Sequence, residues 1–191
     1  MDTELSDNPY CRWVLSLPED HPDRLYHDFR YGFPIADDDE LFGRLLLEIN
    51  QAGLSWSTIL RKETAIRRAY DDFRIERIAA YGDEDRLRLL GDAGIIRNRL
   101  KINAAIANTR KILDLCARFG SFKAWLDHHH PLSLEEWTRL FKKTFQFTGG
   151  EIVREFLTSV GYLPGAHGES CPVYERVLSK TPAWFERGRT T

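Results

Sequence analysis

The sequence predicts an all-α fold. Apolar residues recur at helical spacing along most of the chain, and alternating β-branched runs are absent. The 191 residues are 42% hydrophobic and 12% aromatic, enough to bury a real core and too apolar for a disordered chain. The polar, acidic stretch Met1–Pro9 does not read as a signal peptide and is expected to be a disordered tail ahead of a single domain over residues 10–191. No apolar run approaches the roughly 18 residues needed to cross a bilayer, so no membrane partner is expected. Three cysteines, at 11, 116 and 171, are too few and too scattered for a disulfide framework and fit a reducing, cytoplasmic setting. Net charge is −2, so a nucleic-acid surface has to be local.

Asp37, Asp38 or Asp39 can cap a helix running to about Ala52, since a short carboxylate accepts first-turn N–H groups. Leu41, Phe42, Leu45, Leu46 and Ile49 form its apolar stripe. Further helices are predicted near 57–70, 74–80, 83–91, 97–119, 121–130, 134–144 and 150–160, with Ser133 and Glu136 at capping-box spacing. Gly82, Gly120 and Gly161 punctuate the pattern, and the tail after Ala166 reads as irregular.

One charged residue lies on the first stripe. Glu48 follows Leu41 by seven residues and Leu45 by three, so it shares their face. Two readings stand: a stripe-edge residue with its head in water, or a carboxyl group in a pocket that does chemistry or reads a ligand. Directly after it, Gln51-Ala52-Gly53-Leu54-Ser55-Trp56 leaves the helix through a glycine and presents a Leu and a Trp, residues that elsewhere would be core.

Leu90 to Arg97 separates two helical patterns. Gly94 can take positive φ in a tight turn there, with Ile95 and Ile96 anchoring it to the core. The next helix would turn its free N–H groups outward as a phosphate site. Between Arg86 and Lys111 stand seven basic residues and one acidic residue, Asp92. This is a helix-hairpin-helix pattern, which grips the DNA backbone without reading sequence; Arg97 and Lys101 are its candidate phosphate contacts. A plain helical hairpin with a solvated basic face is the alternative.

His167 and Cys171 lie four residues apart, within metal-ligand spacing, and Cys11 and His27 can complete a Cys2His2 set from the other end of the chain. A buried free cysteine and a surface histidine are the commoner outcome. His128, His129 and His130 close a predicted helix, where a cation complements the dipole, and Cys116 lies among Ile112, Leu113 and Leu115; both are read as structural.

These features together resemble the 3-methyladenine DNA glycosylase I (Tag) family. The matching stretches are Tyr10-Cys11-Arg12-Trp13-Val14, Tyr26-His27-Asp28 with Gly32 and Pro34, Glu48 to Trp56, Asp92 to Arg97, Phe145-Gln146-Phe147-Thr148-Gly149, and Gly161 to Cys171. The resemblance implies an all-α, helix-hairpin-helix glycosylase fold with a zinc clip joining the N- and C-terminal segments through Cys11, His27, His167 and Cys171. It places base recognition on Glu48 and the base pocket on Trp13, Tyr26 and Trp56. Gly53 and Leu54 enter the DNA gap with Gln51 beside them, and Gly94, Ile95, Ile96 and Arg97 hold the backbone. Tyr31 stands where the resemblance leads one to expect a pocket tryptophan. The implied activity is hydrolysis of the N-glycosidic bond of 3-methyladenine in double-stranded DNA. It leaves an abasic site without strand cleavage and is carried by a monomer with structural Zn2+. A non-catalytic helix-hairpin-helix DNA-binding module is the rival reading, and a metal-dependent hydrolase built on His27 and Asp28 is a second.

Overall fold

The computed structural model describes residues 8–186, and every regular element among them is helical. The chain divides into two compact units. A middle unit spans residues 35–156, and a terminal unit combines residues 1–34 with 157–191. Of the expected tail, residues 1–7 lie outside the described residues. Asn8 and Pro9 already belong to the first helix, α1 (Pro9–Leu15), as N-cap and first residue. Asn8 accepts hydrogen bonds from the amides of Tyr10 and Cys11.

α2 (Pro22–Phe29) also starts on a proline, whose fixed φ and missing N–H suit a first helical position. In the middle unit follow α3 (Asp38–Gln51), α4 (Trp56–Ala69), a 3-10 turn at Asp71–Phe73, α5 (Ile75–Ala79) and α6 (Asp83–Gly91). Then come α7 (Arg99–Phe119), α8 (Phe122–His129), α9 (Leu134–Thr144) and α10 (Gly150–Ser159), in which the boundary between the units falls. The end of the chain, expected to be irregular after Ala166, contains two short helices, α11 (Tyr174–Leu178) and α12 (Ala183–Glu186).

Caps explain where the predicted helices start. Ser55 accepts from the Thr58 amide and sets α4 to begin at Trp56. Asn98 accepts from the amides of Leu100 and Lys101, so α7 begins two residues later than its periodicity suggests. The Ser133–Glu136 capping box opens α9 as expected. The acidic triplet serves three helices at once. Asp37 accepts from the Glu40 amide in α3. Asp38 takes the Phe122 and Lys123 amides of α8 at 2.8 and 2.9 Å. Asp39 takes the Ile75 amide of α5 at 2.8 Å. Each such cap contributes about 1 kcal/mol, and together they fix three helix starts around one loop.

The middle unit's core is the buried face of α3 (Leu41, Phe42, Leu45, Leu46, Ile49) with Ile102, Ile106 and Ile112 of α7 and the aromatics Phe122, Trp125, Trp137, Phe141 and Phe156. α3 packs against Phe73 where Gly43 leaves room: a Cβ there would fall 2.2 Å from the ring. The terminal unit has a small core of Cys11, Cys171, Val173 and Val177, with Phe33 and Tyr174 beside it.

Candidate functional site

Glu48 is 4% exposed, which favours the pocket reading over the stripe edge. Burial is the first cause that pushes its carboxyl up to about 8. Arg44, one turn earlier on α3 and also buried, works against the shift, and Glu155 of α10 adds to it. No hydrogen bond contributes. A neutral carboxyl group in this environment is poised to ionise when a cation is brought to it. Sequence reasoning missed Arg44, although its i, i+4 spacing to Glu48 is visible; the approach of Glu155 is not.

After Glu48 the chain turns tightly. Ala52 (φ −50, ψ 114) and Gly53 (φ +85) are the corners of a type II turn closed by the Leu54 amide on the Gln51 carbonyl at 2.7 Å. A Cβ on Gly53 would touch nothing, so the glycine is needed for its positive φ alone. The Gln51 side chain donates to the Leu54 carbonyl at 3.1 Å. Leu54 sits beyond the turn at 40% exposure, and half-buried Trp56 opens α4. An exposed leucine held by a rigid turn can enter an apolar gap.

The Asp92 hairpin differs from expectation in two respects. The positive-φ glycines of the described chain are 32, 53, 120, 161 and 165, so Gly94 does not use the conformation predicted for it. Its amide instead donates to Asp92 Oδ1 at 2.7 Å, and a Cβ would lie 3.0 Å from that oxygen and 3.2 Å from Ala65 Cβ. The glycine is there for close approach. Ile95 is buried as expected, and Ile96 is half-buried. Two amides of the first turn of α7, expected to face outward, are occupied by Asn98.

The second difference is Lys101. Expected at a phosphate, it is 4% exposed, and its Nζ donates to the Asn50 and Ala52 carbonyls at 2.8 Å each. The last carbonyls of α3 have no helical donor and draw in a cation. Much of the basic run is likewise engaged. Arg86 bonds Asn103 and Asp83, Arg88 bonds the Ala69 carbonyl and Asp85, Arg110 bonds the Ala79 and Tyr81 carbonyls, and Lys111 pairs with Asp114. The exposed Arg97 and Arg99 make no such contact with the described residues and are the cations available to a phosphate.

In the terminal unit, Cys11, His27, His167 and Cys171 converge, all buried, with their ligand atoms within 4.8 Å of one another. Cys171 Sγ lies 3.6 Å from both His27 Nε2 and His167 Nδ1, and Cys11 Sγ lies 3.8 Å from His167 Nδ1. A tetrahedral zinc with bonds of about 2.0–2.3 Å separates its ligands by roughly 3.6 Å, so the set fits. The outer imidazole nitrogens are held as zinc histidines require. His27 Nδ1 meets Asp28 at 2.7 Å, itself bonded by Arg24 Nε at 2.7 Å, and His167 Nε2 meets the Tyr31 carbonyl at 2.9 Å. The thiols are unequal: a hydrogen bond with Cys171 is the main cause lowering Cys11, and the same bond raises Cys171. Four protein ligands leave no position for a reacting water, which disfavours a hydrolase built on His27 and Asp28.

Cys116 lies elsewhere, its Sγ 3.6 Å from Asp38 Oδ2, with burial the first cause pushing its thiol up to about 11. Cys116→Ala is expected to leave the metal content of the protein, measured by atomic absorption, at the wild-type level.

Tyr26 is buried in the same unit, its ring 5.6 Å from that of Tyr31 and with the Arg30 guanidinium 5.5 Å over it. Trp13 is 45% exposed and 6.0 Å from the Tyr10 ring.

A family profile described as methyladenine glycosylase matches residues 16–136. DNA-3-methyladenine glycosylase 1 of Escherichia coli is 34% identical over 183 residues, covering 86% of this chain and 96% of its own length. DNA-3-methyladenine glycosylase of Haemophilus influenzae is 31% identical over 166 residues, 77% of this chain and 89% of its own. Among solved structures, a variant of 3-methyladenine DNA glycosylase I in complex with 3-methyladenine superposes with a TM-score of 0.73 at 28% identity, covering 82% of this chain and 94% of that one.

Proposed function

This chain belongs to the methyladenine glycosylase family, and on that premise we propose which of its residues do what. The enzyme hydrolyses the N-glycosidic bond of alkylated adenine in DNA, and its substrate is duplex DNA carrying 3-methyladenine. The observation that carries this reading is the buried carboxyl group of Glu48 immediately ahead of a rigid turn that offers an exposed leucine.

The target base has to leave the stack before its glycosidic bond is reached. Arg97 and Arg99, with the Gly94–Ile96 hairpin, hold the phosphate backbone. Leu54 fills the space the base vacates, with Gln51 and Gly53 shaping the turn. N3-methylation makes the base cationic, so its ring stacks on an aromatic face, that of Trp56 beside the Leu54 turn. As the cation arrives Glu48 gives its proton to water, and the resulting carboxylate accepts hydrogen bonds from the base's amino edge. The bond from the sugar C1′ to the base breaks with its electron pair moving to the base, which leaves neutral. Water adds to C1′ and releases its proton, giving an abasic site. A cationic leaving group needs little acid assistance, so selectivity falls to recognition. Cys11, His27, His167 and Cys171 would hold a structural Zn2+, which ties the chain's ends and takes no part in the chemistry.

With methylated duplex DNA, alkali-labile sites are expected to accumulate while the strands stay intact without alkali. Strand breaks before alkali would point to a lyase, and no labile sites at all to a DNA-binding module without chemistry. Arg97→Ala is expected to weaken binding to damaged and undamaged duplex alike and to reduce the slope of log affinity against log salt by about 1. A loss confined to damaged DNA would contradict the phosphate-contact role.

A further inference from the structure

Two lysines join the Leu54 turn to the hairpin, in opposite directions. Lys101 belongs to α7, the helix that leaves the hairpin, and its Nζ donates to the carbonyls of Asn50 and Ala52, the latter a corner of the turn. Lys62 belongs to α4, the helix that leaves the turn, and its Nζ donates to the carbonyls of Ala93 at 3.2 Å and Gly94 at 3.0 Å, at the hairpin's bend. These four acceptors lie in or beside the two connections, where regular helix bonding stops. An ammonium group offers three N–H donors and spans two carbonyls with one charge. Lys101 is nearly excluded from water and sits 5.8 Å from the Phe147 ring, so it is retained in the interior by the bonds it makes.

We propose that Lys62 and Lys101 are positioning residues that fix the Leu54 turn to the backbone-gripping hairpin. Seating the hairpin on the phosphates then carries Leu54 into the duplex as part of one rigid piece. Extruding a base costs a few kcal/mol of unstacking, and a wedge that swings aside delivers none of the backbone-binding energy to that task. The Gln51–Leu54 bonds hold the turn's shape; the two ammonium groups hold its place. Neither lysine touches the base. The inference rests on the reading of Leu54 as the wedge.

The test is a double-mutant cycle on the full-length protein, using duplex DNA with one 3-methyladenine and a neighbouring 2-aminopurine, whose fluorescence reports unstacking. Leu54→Ala and Lys101→Met are each expected to lower single-turnover excision at least about tenfold and to reduce the fluorescence rise, with the double variant no worse than the poorer single one. The salt dependence of Lys101→Met on undamaged duplex should match wild type, because this lysine touches no phosphate. Losses that multiply in the double variant would overturn the proposal, as would a flattened salt dependence. Wild-type excision by Leu54→Ala would overturn the wedge reading itself, and this proposal with it. Lys62→Met, on a half-buried helix face, runs the same cycle should Lys101→Met not fold, and wild-type excision from it would overturn the proposal equally.

Discussion

Glu48→Gln is expected to cut 3-methyladenine excision at least about tenfold, since a hydrogen bond to a charged partner contributes on the order of 1.5–3 kcal/mol. The variant keeps the shape of the side chain and one acceptor oxygen but cannot ionise. The pH dependence carries the sharper signature. The wild-type carboxyl is pushed from 4.5 up to about 8, so the free enzyme holds this proton at neutral pH and loses it as the cationic base arrives. Excision by the wild type should therefore climb with pH toward about 8 and then level, whereas Glu48→Gln should not show that rise. Stability runs the other way. Between the unfolded carboxyl's range and about 8 the folded protein binds more protons than the unfolded chain, so this group's contribution to stability falls as pH rises through that window. Thermal melts should show the variant close to wild type near the low end of the window and more stable than it above about 8. A wild-type excision profile in Glu48→Gln would remove the carboxyl group from base recognition.

Cys11→Ser is expected to lose bound zinc and to lower Tm by roughly 10 °C, since a structural zinc site carries folding free energy outright. The four residues join α1 and α2 to the segment at 167–171, and the contact between Cys11 and His167 closes 156 residues of chain. Two of these ligands, Cys11 and Cys171, also belong to the terminal unit's buried cluster with Val173 and Val177, so losing the metal disturbs that packing as well. Chelation should destabilise the wild type in parallel, with excision by the folded protein surviving until the melt begins. Full zinc occupancy in Cys11→Ser would contradict the ligand assignment.

What the sequence revealed follows from what holds each element. α3, α7 and α9 bury apolar stripes, and periodicity shows them. α1 and α2 bury Cys11 and Val14 in the first and Asp23, Tyr26 and His27 in the second, a set with little apolar periodicity. Their order comes from caps and from the ligand cluster, so no apolar stripe marks them; Asn8-Pro9 and His21-Pro22 are the signals that the sequence offers. The ligand set was legible only by residue type and through the resemblance, because its two halves are 144 residues apart at His27 and Cys171. Lys101 shows the converse. In a basic run it reads as a phosphate contact, and only the approach of the end of α3, 49 to 51 residues away in sequence, takes its ammonium inside. Gly94 serves close approach rather than positive φ, two demands that leave the same mark in a sequence.

The central claim is that this chain releases an alkylated base from DNA. Purified protein incubated with methylated duplex DNA, with the soluble products separated by chromatography, tests it directly. The account predicts free 3-methyladenine in the wild-type reaction, reduced at least about tenfold with Glu48→Gln. Duplex binding without any released base would contradict it, and would make the protein a helix-hairpin-helix binding module.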